Sequence, residues 1–122
     1  MATHEVPAAV VRRREGAAVI DLAGDINAGV EAHLDAAWEH ATAERPEAVV
    51  LNFDGASYIN STGIALIVGL LAKARAAGLA IRAYGLTPHY REIFEITRLA
   101  DFMAIDTDEE SALRGAEGST NG

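Results

Sequence analysis

Cysteine is absent from this sequence. Disulfide scaffolds, thiol nucleophiles and cysteine-rich zinc sites are thereby removed together, and a reducing cytosol stays open as the compartment. Basic residues are scarce beside acidic ones: 10 Lys and Arg stand against 18 Asp and Glu, a net charge of -8. Phosphate backbones and anionic lipid surfaces repel such a chain at long range, so neither nucleic acid nor membrane is expected as a partner. A long apolar stretch is missing too. The longest run, Ile64 to Ala72, is nine residues with Gly69 inside it, less than half of a membrane-spanning helix. Met1 to Val11 lacks the basic and then apolar regions of an export signal, and Glu5 and Pro7 interrupt it. Together these absences predict a soluble, cytoplasmic chain with no membrane insertion.

What is present suffices for one core. At 122 residues, half of them hydrophobic, the chain is long enough for a single domain and too short for two. Val10 to Arg14 and Ala17 to Leu22 are β-rich runs joined at Glu15-Gly16, where glycine can supply the positive φ of a tight hairpin. Arg12, Arg13 and Arg14 read as the solvated part of an edge strand, with a binding arm as the alternative. Val30, Leu34, Ala37, Trp38 and Ala41 recur at helical spacing behind a cap at Asn27 or Asp25. Ala48 to Phe53 is nearly all apolar, as in a strand buried on both faces of a parallel sheet.

Ser61 to Ala77 is helical in pattern, with Lys73 and Arg75 near its C-terminal end and Gly78 as its cap. Leu79 to Tyr84 reads as a strand. Thr87-Pro88 opens a third helix, which is expected to bury Ile93, Phe94 and Thr97 or a neighbour. Met103 to Ile105 is a candidate last strand. Thr107 and Glu110 form a capping box for a short terminal helix around Ala112 and Leu113. The order ββαβαβαβα predicts an α/β fold: an N-terminal antiparallel hairpin, the remaining strands mostly parallel through right-handed crossovers, and about four helices packed against one mixed sheet. The domain is expected over 1–114, with 115–122, small and polar, as a disordered tail.

The most informative stretch is Asp54 to Gly69. A buried strand leads into a polar turn, Asp54-Gly55-Ala56-Ser57-Tyr58, and Ile59-Asn60-Ser61-Thr62-Gly63 then opens a helix. A helix start gathers free backbone N–H groups and the positive end of the dipole, so a hydroxyl there can cap the helix and a phosphate on it is tolerated. Gly63 permits close approach of another backbone. A phosphoserine at Ser61 would bring about -1.5 to -2 charges and three acceptor oxygens to a partly apolar surface and would repel a partner bound there. The alternative is that Asn60-Ser61-Thr62 is only a cap. Ile64, Ala65, Leu66, Ile67, Val68, Leu70 and Leu71 are apolar on nearly all faces, which suits either a partner surface or a helix buried by its own fold.

Leu51 to Ile64, with its strand, its aspartate-centred turn and Asn60-Ser61-Thr62-Gly63 at a helix start, resembles the signature of the STAS domain family, named for sulfate transporters and anti-sigma-factor antagonists. Asp21-Leu22-Ala23-Gly24-Asp25-Ile26 is similar to the family's second strand and its Gly-acid turn. Tyr84 to Pro88 and Phe94 to Leu99 are similar to its late strand and helix, so the resemblance covers roughly Val10 to Leu113. It implies a protein-binding switch and no enzyme, with no cofactor or metal. An anti-sigma-factor antagonist captures an anti-sigma factor that is also a serine kinase, loses it on phosphorylation of the motif serine, and is restored by a serine phosphatase. By position the acceptor is Ser61, with Asn60, Thr62 and Gly63 as motif neighbours and Asp25, Ile26, Asn27, Tyr58 and Ile59 on the partner-facing edge. The family's acid before the acceptor is Asn60 here, which keeps the capping shape and loses the charge. An alternative within the family is a scaffold or accessory subunit of a signalling or lipid-transport complex that binds without a phosphate cycle.

Other chemistry is weaker. His33 and His40 share a helix face without an i, i+4 ligand partner and read as surface histidines, while His4 and His89 are isolated. A hydrolase would need a nucleophile elbow, but Gly55-Ala56-Ser57-Tyr58-Ile59 lacks its second glycine. Asp21 and Asp25 are too weakly placed for a receiver-like phosphoaspartate site, although Asp54 does end a buried strand, and no phosphate-cradling loop occurs. Asp101, Asp106, Asp108, Glu109 and Glu110 read as caps and solvated acids.

Overall fold

The computed structural model of the chain describes residues 7–118, so His4 and most of the segment weighed as an export signal lie outside the described residues. The elements in order are β1 (Ala9–Arg14), β2 (Ala17–Ile26), a 3-10 turn (Ala28–Val30), α1 (Glu31–Thr42), β3 (Ala48–Ile59), α2 (Ser61–Ala77), β4 (Ala80–Tyr84), α3 (Pro88–Ile96), a second 3-10 turn (Leu99–Asp101), β5 (Ala104–Asp106) and α4 (Glu109–Gly118). One five-stranded sheet runs β1-β2-β3-β4-β5. β1 is antiparallel to β2, and every later neighbour is parallel. This is the expected mixed α/β sheet. The hairpin turns at Glu15-Gly16, and both residues carry positive φ.

Strand alternation divides the sheet into two layers. Ala18, Ile20 and Leu22 of β2 and Val49, Leu51 and Phe53 of β3 point to one face, where Leu34, Trp38, Ile67, Leu71 and Phe94 from α1, α2 and α3 cover them. Phe53 meets Phe94 edge to face with centroids 5.8 Å apart. Ala17, Val19, Val50 and Tyr84 point to the other face and receive Ala112 and Leu113 of α4. Burial of this kind contributes about 1.5–3 kcal/mol per large apolar side chain.

Four expectations need correction. β2 and β3 run on to Ile26 and Ile59, so the segment read as a polar turn, Asp54 to Tyr58, continues the strand. Two register shifts let the extension pair, one between Asp21 and Ala23 and one between Gly24 and Asp25, where Gly24 has φ +78. Thr97 is exposed, and Leu99 fills the core in its place. The terminal helix is capped by Asp108, whose Oδ1 accepts from the Ser111 N–H at 2.8 Å, and Thr107 takes no part in a capping box. That helix continues to Gly118 with Ala116 buried, so the first four residues of the expected tail are helical; 119–122 lie outside the described residues.

Candidate functional site

Three chain ends converge at one corner of the sheet: the last residues of β2, the last residues of β3, and the start of α2. Asp25 pairs with Tyr58 and Ile26 with Ile59 in parallel register. The Asn60 N–H donates to the Ile26 carbonyl at 3.3 Å, and this sets the turn from β3 into α2. A Cβ on Gly63 would overlap the same carbonyl oxygen, so only glycine lets the helix start this close to β2. The helix cannot be moved away without opening the corner.

Asn60 is the cap. Its Oδ1 accepts from the Gly63 N–H at 2.8 Å, and its backbone lies in the extended region as a capping residue requires. Ser61 is therefore the first helical residue, and its hydroxyl is not spent on capping. Ser61 and Thr62 are both exposed, and among the described residues the Ser61 hydroxyl makes no hydrogen bond. The first turn of α2 carries no acidic residue, so nothing on the helix itself offsets the positive end of its dipole.

The neighbouring candidate residues divide into surface and floor. Tyr58 is 59% exposed and stands beside exposed Asp25. Asn27 is occupied locally: its Oδ1 accepts from the Gly29 N–H at 2.9 Å and opens the 3-10 turn before α1. Ile26, Ile59 and Gly63 are buried. Their contribution is the backbone of the corner, and their side chains are not available to a partner.

One supporting residue left no trace in the sequence. The Tyr90 phenol oxygen, on α3, accepts from the Ile59 N–H at 3.0 Å and pins the end of β3 just before the cap. The two residues lie 31 positions apart. Ser57 lies within β3 and so is not the strand-to-helix elbow that the hydrolase alternative needs. His33 and His40 are exposed on α1.

The opposite face of the sheet holds a network built around Glu109. Arg12 donates to both Asp21 oxygens at 2.6 and 2.8 Å and to Glu109 Oε1 at 2.7 Å. Arg14 also bonds Glu109, and the Tyr84 hydroxyl donates to it at 2.5 Å. The Arg12 hydrogen bond leads in pulling the Glu109 carboxyl down to about 2, against the opposing effect of burial. Burial pushes the Asp21 carboxyl up, but hydrogen bonds from Arg12 and Asn52 outweigh it and the net shift is downward. Tyr84 is shifted upward, by burial first and then by Glu109. Two of the three arginines read as solvated thus clamp α4 to the sheet. Arg13 turns the other way and donates to the Ala41 and His40 carbonyls at 2.8 and 2.7 Å, near the end of α1. Among the described residues no group of acidic or histidine side chains could hold a metal ion, and no helix is long and apolar enough to cross a membrane.

Comparison with known proteins bears on the fold and the family. The STAS domain family model matches residues 8–112. The anti-sigma factor antagonist SpoIIAA in its unphosphorylated form is similar in structure, with a TM-score of 0.69 at 21% identity over 91% of this chain and 99% of that one. The Bacillus cell fate determinant SpoIIAA in its phosphorylated form gives 0.67 at 22% identity, covering 88% and 98%. An anti-sigma factor antagonist from Mycobacterium paratuberculosis gives 0.75 at 18% identity, covering 89% and 92%. At such identities the likeness is one of fold. None of the curated proteins matches the sequence.

Proposed function

We propose, from the premise that the chain belongs to the STAS domain family, that it is an anti-sigma-factor antagonist whose state is set at Ser61. In this reading the unmodified protein captures an anti-sigma factor that is also a serine kinase. Phosphorylation of Ser61 releases it, and a serine phosphatase restores binding in the cytoplasm. The observation that carries the reading is the division of labour at the corner: Asn60 does the capping, which leaves Ser61 exposed with a free hydroxyl at the positive end of a 17-residue helix.

Physical chemistry supports both halves of the cycle. A phosphate on the first helical residue meets unpaired N–H groups and the dipole, with no acid in that turn to oppose it, so the modified form is stable. The same charge, three residues along the chain from exposed Tyr58, would turn a half-apolar surface into one from which a docked partner is expelled. Incubation with the purified cognate kinase and ATP should add one phosphate, at Ser61, and Ser61→Ala should abolish it. In a pull-down, Ser61→Glu should release the partner while Ser61→Ala retains it. Phosphate found only at other residues, or capture untouched by Ser61→Glu, overturns the proposal.

A further inference from the structure

At the far end of α2 lies a second feature. The C-terminal half of α2, the start of β4 and the segment 97–104 enclose an open groove of about 830 Å³. Ser61 and Arg75 are roughly 20 Å apart along the helix at 1.5 Å per residue, so the groove is separate from the Ser61 corner. It exists because β5 is short. β5 pairs only with Arg82, Ala83 and Tyr84, and the first residues of β4 have no strand beside them on that side. Val68, Leu71, Leu79, Leu99, Phe102 and Met103 are among its large apolar lining residues, and the volume is in the range of small-molecule sites.

Charge is unevenly distributed around it. Three arginines and one aspartate line the groove of a chain whose net charge is -8. Two of the arginines are engaged: Arg82 donates twice to Asp106, each at 3.1 Å, and Arg98 donates to Asp101 at 2.7 Å. Arg75 forms no ion pair among the described residues. Its Cζ sits 5.6 Å from the centroid of the Phe102 ring, which is itself 57% exposed. An apolar trough thus ends at one cation that lacks a counter-ion.

We propose that this groove binds an amphiphilic monocarboxylate, an aliphatic body with a single anionic head. The aliphatic lining takes the chain and excludes water from it. A carboxylate accepts two parallel hydrogen bonds from one guanidinium, and a single charge matches the single unpaired arginine. A cationic amphiphile meets repulsion at the same place, and a polyanion finds only one cation to answer it.

The test uses the full chain, labelled with nitrogen-15 and titrated with decanoate below its micellar concentration. Saturable amide shifts are expected in 68–75, 79–82 and 97–104. Decyltrimethylammonium, with the same tail and the opposite charge, should give none. Arg75→Gln should weaken decanoate about tenfold and leave the weaker binding of decanol unchanged. The proposal is overturned if decanoate leaves those amides unmoved, if the cationic amphiphile binds equally well, or if Arg75→Gln binds decanoate as tightly as the parent. It is also overturned if the same amides shift with protein concentration alone while the scattering mass doubles, since a second copy of the chain then fills the groove.

Discussion

The α-carbon of Gly63 faces the carbonyl oxygen of Ile26 so closely that a methyl group on it would come within 2.0 Å of that oxygen. That oxygen also receives the Asn60 N–H, so an added side chain strains the helix start and the end of β2 at once. Gly63→Ala should cost about 2–3 kcal/mol in urea denaturation. A loss below about 0.5 kcal/mol would mean that the corner can open freely.

Asn60 holds the start of α2 through one side-chain hydrogen bond. Asn60→Ala should lower stability by about 1 kcal/mol. Asn60→Asp should match or exceed the parent, since aspartate caps equally well and its charge suits the dipole. Thermal unfolding followed by circular dichroism separates the three proteins. A less stable aspartate variant would show that the cap is governed by something other than hydrogen bonding and the helix field.

Acid should loosen α4. The Glu109 carboxyl is pulled from its ordinary 4.5 to about 2 in the folded chain, so its contribution is complete above about 4.5 and is lost as pH falls toward about 2. Glu109 and its arginines are partly solvated, so the contribution is about 1–2 kcal/mol after screening. Asp21 and Asp108 are also held low and act in the same direction. Glu109→Gln should therefore reduce the acid sensitivity without abolishing it. Hydrogen exchange at Ala112 and Leu113, measured from pH 7 to pH 3, reports the loosening. Equal pH dependence in parent and variant would remove Glu109 from the account.

The hairpin stores strain at Glu15, a charged L-residue with φ 51. Asparagine tolerates that region better and forms, with Gly16, the preferred pair for such a turn. Glu15→Asn should add about 0.5–1 kcal/mol, and its pair with Arg14 at 3.4 Å is too exposed to offset the gain. An unchanged melting temperature would show that the turn is relaxed as it stands.

Elements whose signals are local were legible in the sequence. The bounds Ser61 to Ala77, the cap at Gly78 and the Thr87-Pro88 start all stand where hydroxyl, proline and glycine chemistry sets them. Which residue caps that helix was left open, since Asn60, Ser61 and Thr62 all suit the role, and the Asn60 hydrogen bond to Gly63 is what frees the exposed Ser61. Pairing across the sheet did not show itself in this way. The extension of β2 and β3 depends on two register shifts between strands, and neither strand carries such a shift in its own pattern. Tyr90 reaches Ile59 from 31 residues away, and Arg12 reaches Glu109 from 97 away. A side chain with one long-range partner leaves no periodicity behind. Arg12 and Arg14 did leave a faint sign, two cations at period two on one strand face, but only the docked helix shows what they hold.

The rims of the sheet decide how other chains can meet it. On one side a newcomer strand would have to lie along β1, where guanidinium groups spread over both surfaces of the ribbon; on the other it would find a β5 of three residues. Neither offers the long, flat template on which edge-to-edge stacking and amyloid growth begin. Strand addition along either rim is thereby disfavoured as a way for another chain to join this sheet.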